Sequence, residues 1–345
     1  MSQNPYSLSF GKEPSQMISR IVQQNTISDT FLSEEPSQHV FIITGVRGSG
    51  KTVFMTELAK DFGKRDEWIV AELNPERDML TALAAKLAGV NKFAEMFRNS
   101  SINLSAFGFG LEVKNAAPIT DVEDALARML SSLKNNGKKV LITVDEVSNT
   151  SNVREFASAF QILLRQDLPV FLLMTGLYDN VESVQNEKSL TFLYRAAKVS
   201  LKPLNIGIIA DNYKSNFNLD DDTALKMARE TKGYPFAFQV LGYFAWEHGA
   251  FSEEAFGDTK LYLEEYVYEK IWSELSQTDR RVLNAIVQDD CGNVTSIRNR
   301  LDMSPNQFSP YRKRLIRKGI VNGENYGYLY ITLPMFDQFV RENYY

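Results

Sequence analysis

The chain has 345 residues, 43 Asp and Glu against 38 Lys and Arg for a net charge of -5, one cysteine (Cys291) and two histidines (His39 and His248). That length points to two or three domains rather than one small core, and the cysteine and histidine counts exclude a disulfide framework and a Cys/His zinc site. The longest apolar runs, such as 169–174, are strand-sized and far below the ~20 residues of a membrane span, and the N-terminus lacks the pattern of a secretory signal, so no membrane partner and a reducing cytoplasm are expected.

Residues 1–13 are polar, carry Pro5 and Gly11, and read as an extended lead-in. After Pro14-Ser15, a helix is expected through Met17 and Ile18 to about Leu32. Val40 to Thr44 is an apolar first strand, followed by Gly45-Val46-Arg47-Gly48-Ser49-Gly50-Lys51-Thr52 and a helix from Thr52 to about Phe62. The octet is the phosphate-loop pattern G-x-x-x-x-G-K-[ST], in the strand, loop and helix context that gives the pattern meaning. The glycines let backbone N–H groups from Gly45 to Gly50 turn toward phosphates, and the helix entered at Val53 adds its positive dipole end. Lys51 is expected to reach the β- and γ-phosphates and Thr52 to ligate Mg²⁺.

Trp68 to Leu73 reads as a second strand, followed by a helix from about Glu76 to Leu87. The stretch from Ser100 to Pro118 breaks this rhythm: Ile102, Leu104, Phe107, Phe109, Leu111 and Val113 approximate a period of two, so an inserted hairpin is expected within 98–119. A helix from Val122 to Leu133 precedes the apolar strand Lys139 to Val144, which ends in Asp145-Glu146. A carboxylate at the C-terminal edge of a buried parallel strand lies where such sheets present ligands. Asp145 is therefore the candidate Mg²⁺ ligand, and Glu146 the group that orients and deprotonates an attacking water. A helix (Val153 to Arg165) and a strand (Val170 to Met174) lead to Thr175. Its hydroxyl either meets the γ-phosphate or the attacking water, or caps the following turn. A helix near Val181 to Glu187 and a strand at Ala197 to Leu201 complete an α/β domain over 36–203, preceded by the lead-in and helix of 1–35.

From Leu204 the pattern is helical: Asn205 to Phe217, Asp222 to Thr231, Pro235 to Trp246 and Leu261 to Glu274, a lid-like domain over 204–274. The last unit, 275–345, begins with helices at Thr278 to Val287 and Val294 to Leu301. It carries ten Lys and Arg against seven Asp and Glu, and between Ser296 and Lys318 seven basic residues face only Asp302. Ser304, Pro305 and Gln307 form the start signal of a third helix. Phe308, Tyr311 and Leu315 are its expected buried face, Asn306, Arg312, Lys313 and Arg317 its opposite face, and Gly319 its stop. Pro310 falls inside it and is expected to kink or restart it. Two strands over 320–325 and 326–331 would follow. Three helices and a hairpin make a winged helix, whose third helix enters the major groove of DNA. Arg312, Lys313 and Arg317 would contact phosphates, and Asn306 or Gln307 base edges. The same architecture also serves for docking proteins.

The loop Gly45 to Thr52, the acidic pair Asp145-Glu146, Thr175 at a sensor-one position and the helical lid together resemble the AAA+ P-loop ATPases, in particular the origin-recognition-like and STAND-like branches. The lead-in Asn4-Pro5-Tyr6 with Phe10-Gly11 and Pro14 is similar to that of bacterial proteins of this kind. The resemblance covers most of the chain. It implies ATP or ADP with Mg²⁺ as cofactors, adenine packing by Met17 and Ile18, and an oligomer's arginine finger at Arg195. Two departures stand out. The glycine usual before Arg20 is missing, and the run 233–239 has no sensor-two arginine; it resembles instead a Gly-x-Pro element whose Pro235 sits near the nucleotide.

The expectation is an α/β ATPase domain with a helical lid and a winged helix, a slow or regulated ATP switch that meets DNA. The alternatives are a DNA-binding regulator or initiator that holds ATP without turning it over, and a protein-docking signalling ATPase. A homo-oligomer or a protein partner is open to all three.

Overall fold

The computed structural model describes residues 3–9, 14–108 and 116–344. The chain divides into two compact units. One comprises Ile21–Thr44 and Phe54–Ser200, the other Met1–Arg20, Gly45–Val53 and Leu201–Tyr345.

The first unit is built on a parallel sheet. Its elements in chain order are α1 (Ile21–Leu32), β1 (Val40–Thr44), the body of α2 (Lys51–Gly63), β2 (Trp68–Leu73), α3 (Met79–Ala88), α4 (Asn91–Asn99) and α5 (Val122–Asn135). They continue with β3 (Lys139–Val144), α6 (Ser151–Arg165), β4 (Val170–Gly176), α7 (Tyr178–Gln185), α8 (Thr191–Tyr194) and β5 (Ala197–Ser200). The strand order is β2-β3-β4-β1-β5 and every pairing is parallel. β1, β3 and β4 are buried almost end to end, as central parallel strands covered on both faces must be. Alternation along the strands splits their side chains between two layers. Val40, Ile42, Val140, Ile142 and Leu172 join the apolar faces of α3, α5 and α6. Phe41, Phe171 and Trp68 turn the other way onto Phe31 of α1 and Phe62 of α2, with ring centroids 4.5 to 5.4 Å apart in the closest pairs.

The second unit contains α9 (Ile206–Phe217), α10 (Asp221–Glu230), α11 (Pro235–Glu247), α12 (Glu253–Leu263), a π-helical turn (Glu264–Tyr268) and α13 (Glu269–Ser273). It ends with α14 (Gln277–Val287), α15 (Val294–Leu301), α16 (Pro305–Arg317), β6 (Val321–Asn322), β7 (Tyr330–Ile331) and α17 (Phe336–Asn343). The lead-in is anchored here. Tyr6 is 2 % exposed, stacks on Phe217 at 5.7 Å, and gives its hydroxyl to Asn212 at 2.8 Å.

The structure departs from the sequence expectations in several places. Residues 17–20 lie outside α1, which starts at Ile21. No strand occurs in 98–108 or 116–119; a 3-10 turn at Ser105–Phe107 stands there instead. Phe109, Leu111 and Val113 of the expected hairpin lie outside the described residues. Asn103 explains why Ile102 and Leu104 alternate without pairing. Its side chain donates to the Ala116 carbonyl at 2.7 Å and accepts the Ser105 amide at 3.1 Å. These bonds satisfy the segment as a loop and leave Ile102 and Leu104 buried on either side. Pro310 does not restart the last basic helix, since α16 runs unbroken from Pro305 to Arg317. The expected six-residue wing strands shrink to the pairs Val321 with Ile331 and Asn322 with Tyr330.

Candidate nucleotide site and basic helix

The phosphate loop is shaped by its own sequence. Gly48 and Gly50 have φ of +75° and +85°, a region that L side chains enter only with strain. Lys51 Nζ donates to the Gly45 and Val46 carbonyls at 3.0 and 3.1 Å, and the Ser49 amide closes a turn onto Val46 at 3.1 Å. Ser49 is 3 % exposed, and its Oγ has no hydrogen-bond partner among the described residues. Buried polar atoms ordinarily have a hydrogen-bond partner, which sets this hydroxyl apart within the loop. Thr52 and Val53 follow Lys51 in the first turn of α2, with half-buried side chains.

Within the same unit, the start of α11 faces this loop. A Cβ on Gly48 would lie 2.0 Å from the Tyr234 hydroxyl oxygen, and one on Gly50 would lie 3.9 Å from Pro235 Cβ. Tyr234 is the N-cap residue of α11 and Pro235 its first residue. Proline suits that position because its missing N–H is an orphan there anyway. The Tyr234 hydroxyl donates to the Arg47 carbonyl at 2.5 Å, and burial pushes its ionisation far above the ordinary phenol range. Arg47 pairs with Glu274 at 3.3 Å, and Val46 packs against the apolar cluster that contains Tyr234 and Leu315. Arg20 donates to the carbonyls of Ser49, at 3.3 Å, and Lys202; burial lowers its pKa to about 10. Met17 and Ile18 precede it outside any helix or strand, and Ile18 packs on the apolar cluster that contains Tyr213 and Leu204.

Tyr234, Arg20 and Glu274 are the contacts to the loop that sequence reasoning missed. Two of them left a signal. Arg20 is the single charge between Pro14 and Ser28, and Tyr234 sits inside the Gly-x-Pro run.

In the sheet unit, β1, β3 and β4 present their carboxyl ends along one edge. Thr175 is the penultimate residue of β4 and is fully buried. Its hydroxyl donates to Asp145 Oδ1 and accepts the Glu146 amide at 3.1 Å. Asp145 Oδ1 also takes the Glu146 amide at 3.1 Å. The acidic pair is thus oriented from the neighbouring strand. Glu146 is exposed and adopts φ of +52°, which turns its side chain out of the strand direction at the cost of a disfavoured backbone state. Arg195 is exposed and caps α8, two residues before the edge strand β5.

In α16, Ser304 and Gln307 form the expected capping box, so the Gln307 side-chain oxygen accepts the Ser304 amide at 2.9 Å. Phe308 and Leu315 are buried and Tyr311 is half-buried. Asn306, Lys313 and Arg317 are exposed, while Arg312 is half-buried. Arg314 turns inward and pairs with Asp279 at 2.7 Å.

Residues 29–170 match a family described as an ATPase domain predominantly from Archaea. Residues 265–340 match a domain of unknown function (DUF8462). No curated protein matches the sequence. Among solved structures, the Walker-type ATPase PABY2304 of Pyrococcus abyssi is similar with a TM-score of 0.66 and 16 % identity, over 94 % of this chain and 96 % of that one. The ORC2 protein of Aeropyrum pernix, solved in ADPNP–ADP complexes, is similar with a TM-score of 0.57 and 14 % identity, over 97 % of this chain and 96 % of that one. At such identities the likeness is one of fold. The five-stranded parallel sheet, the helices after it and the similarity across nearly the whole chain establish the fold as that of the AAA+ P-loop ATPases, within which residues 29–170 match the archaeal-type ATPase domain.

Proposed function

We propose that the protein is a Mg²⁺-dependent ATPase that works as a slow or regulated switch, with a C-terminal winged helix that binds DNA. The observation that carries the reading is the loop 45–52: its glycines at positive φ, its buried and unpartnered Ser49 hydroxyl, and Lys51 held by loop carbonyls that a triphosphate would replace. Thr52 and Asp145 are the proposed Mg²⁺ ligands. Held by these two residues, Mg²⁺ would supply positive charge against that of the phosphates. Asp145 is held in position by Thr175, and Glu146 takes the proton of the attacking water. Met17, Ile18 and Pro235 border the nucleotide, and Arg195 is the residue that a neighbouring subunit would borrow in an oligomer. The contacts of Tyr234 and Glu274 to the loop supply the means by which nucleotide state reaches the lid and winged helix.

The archaeal-type ATPase match supports ATP as ligand. The basic face of α16, with Lys313 and Arg317 exposed, supports DNA as partner, bound through phosphates by Arg312, Lys313 and Arg317 and read by Asn306 or Gln307. Isothermal titration with ATP and Mg²⁺ tests the ligand. Lys51→Ala is expected to abolish binding, and retained affinity would overturn the loop assignment.

A further inference from the structure

The pattern G-x-x-x-x-G-K-[ST] leaves residue 48 open, yet the structure needs glycine there on two counts. Val46 to Ser49 form a β-turn, closed by the Ser49 amide on the Val46 carbonyl at 3.1 Å. Gly48 is its third residue with φ of +75°, and Arg47 before it lies outside the positive-φ region. This is a type II turn, whose third position favours glycine. The second count is steric. A Cβ on Gly48 would lie 2.0 Å from the Tyr234 hydroxyl oxygen and 2.8 Å from its Cζ.

The hydroxyl that fills this notch is held from behind. Tyr234 is 4 % exposed, and its ring joins the apolar cluster of Val240, Leu263 and Tyr268. Its amide donates to the Thr231 carbonyl at 2.8 Å, and the carbonyl of Gly233 before it accepts the Leu204 amide at 2.7 Å. Burial keeps the phenol proton in place, so the hydroxyl is a standing donor. Its acceptor sets the polarity of the loop. The carbonyls of Gly45 and Val46 accept Lys51 Nζ at 3.0 and 3.1 Å, whereas the Arg47 carbonyl is turned to Tyr234 at 2.5 Å. A trans peptide carries its C=O and N–H on opposite sides, so the Gly48 N–H is directed away from Tyr234. Type I and type II turns differ by a flip of this middle peptide. The flip would exchange the N–H for a carbonyl, which repels phosphate oxygens.

We infer that the Tyr234 hydroxyl is a positioning group for phosphate binding: it pins the peptide between Arg47 and Gly48 in the type II orientation, so that the loop offers the Gly48 N–H to the phosphates of a nucleoside di- or triphosphate. The inference rests on the reading that the loop 45–52 binds such a nucleotide, and it assigns part of that affinity to a residue at the head of α11, outside the pattern of the loop. Without the hydroxyl the peptide exchanges between two orientations, and only the competent fraction binds.

The test uses the full chain and Tyr234→Phe, which keeps the ring and removes one oxygen. Isothermal titration is expected to show Mg²⁺–ATP and Mg²⁺–ADP each bound about tenfold more weakly by the variant, as for a competent fraction of about one tenth. Equal affinities, even with a lower urea midpoint in the variant, make the hydroxyl a packing contact and overturn the inference alone. Tighter binding by the variant identifies the hydroxyl as a latch that nucleotide must break, and equally overturns it. A second measurement needs no variant: with ¹⁵N-labelled glycine, the Gly48 amide resonance of the parent should move downfield as Mg²⁺–ADP saturates the protein. A Gly48 amide that stays in place overturns the inference. A parent that binds neither nucleotide overturns the loop reading together with it.

Discussion

Thr175 has no exposed surface, and its hydroxyl is divided between the Asp145 carboxylate and the Glu146 amide. It therefore acts on the acidic pair by positioning it. Replacing the hydroxyl with a methyl of the same shape, Thr175→Val, is expected to lower ATP turnover about 10- to 100-fold, the usual cost of losing an outer-shell orienting group, while ATP affinity in a titration stays close to that of the parent. Glu146→Gln preserves the backbone geometry at φ of +52°, so its effect isolates the carboxylate. A different residue-scale test concerns Asp279, whose side chain is 3 % exposed and shared between Arg314 and the Ser276 cap. Removing the cation by Arg314→Ala leaves a buried charge unpaired. The expected loss is about 3–5 kcal/mol, read as a lower urea midpoint. Neither the role of Thr175 as a positioning group nor the inward turn of Arg314 is legible in the sequence, because both depend on which neighbour a side chain meets across strands or helices.

At the scale of elements, the helices whose starts carry a capping side chain were legible: Thr150, Asn205, Ser276 and Ser304 each accept an amide of the first turn. The helices α4, α8 and α17 are not legible in the sequence, and their N-cap residues, Val90, Leu190 and Met335, supply no side-chain cap. Met335 even adopts φ of +57°, a backbone state that a sequence does not advertise in methionine. α12 is the exception, since Ser252 caps it and Glu253-Glu254 follow in its first turn, a start signal that was available. The uninterrupted α16 gives a prediction at this scale. Pro310 is exposed and forfeits one helical hydrogen bond, so Pro310→Ala should stabilise the protein by about 1–3 kcal/mol, seen as a higher urea midpoint with an unchanged slope. An unchanged or lower midpoint would mean that the helix bends around the proline to gain packing elsewhere.

For the whole molecule, the strand alternation that the sequence announces produces the sheet order that brings Thr175 on β4 beside Asp145 after β3. The parts that sequence could not supply are the contacts that tie the phosphate loop to the rest of the second unit, of which it is part. Tyr234 on Arg47, Arg20 on Ser49 and Glu274 on Arg47 join residues far apart in the chain, and none belongs to the local pattern of the loop. In the proposed reading, DNA is met by the basic stretch between Ser296 and Lys318 of a chain whose net charge is -5. Affinity for a duplex is therefore expected to fall steeply with salt, and Arg312→Ala/Lys313→Ala should flatten that dependence by about one unit of slope for each lost phosphate contact. The most direct test of the central claim is steady-state hydrolysis of Mg²⁺–ATP by the full chain beside ATP affinity, in the parent and in Glu146→Gln. Turnover in the parent that falls by about 10²–10⁴-fold in Glu146→Gln with ATP still bound is the predicted result; ATP binding without turnover, with or without DNA, or turnover indifferent to Glu146→Gln, would contradict it.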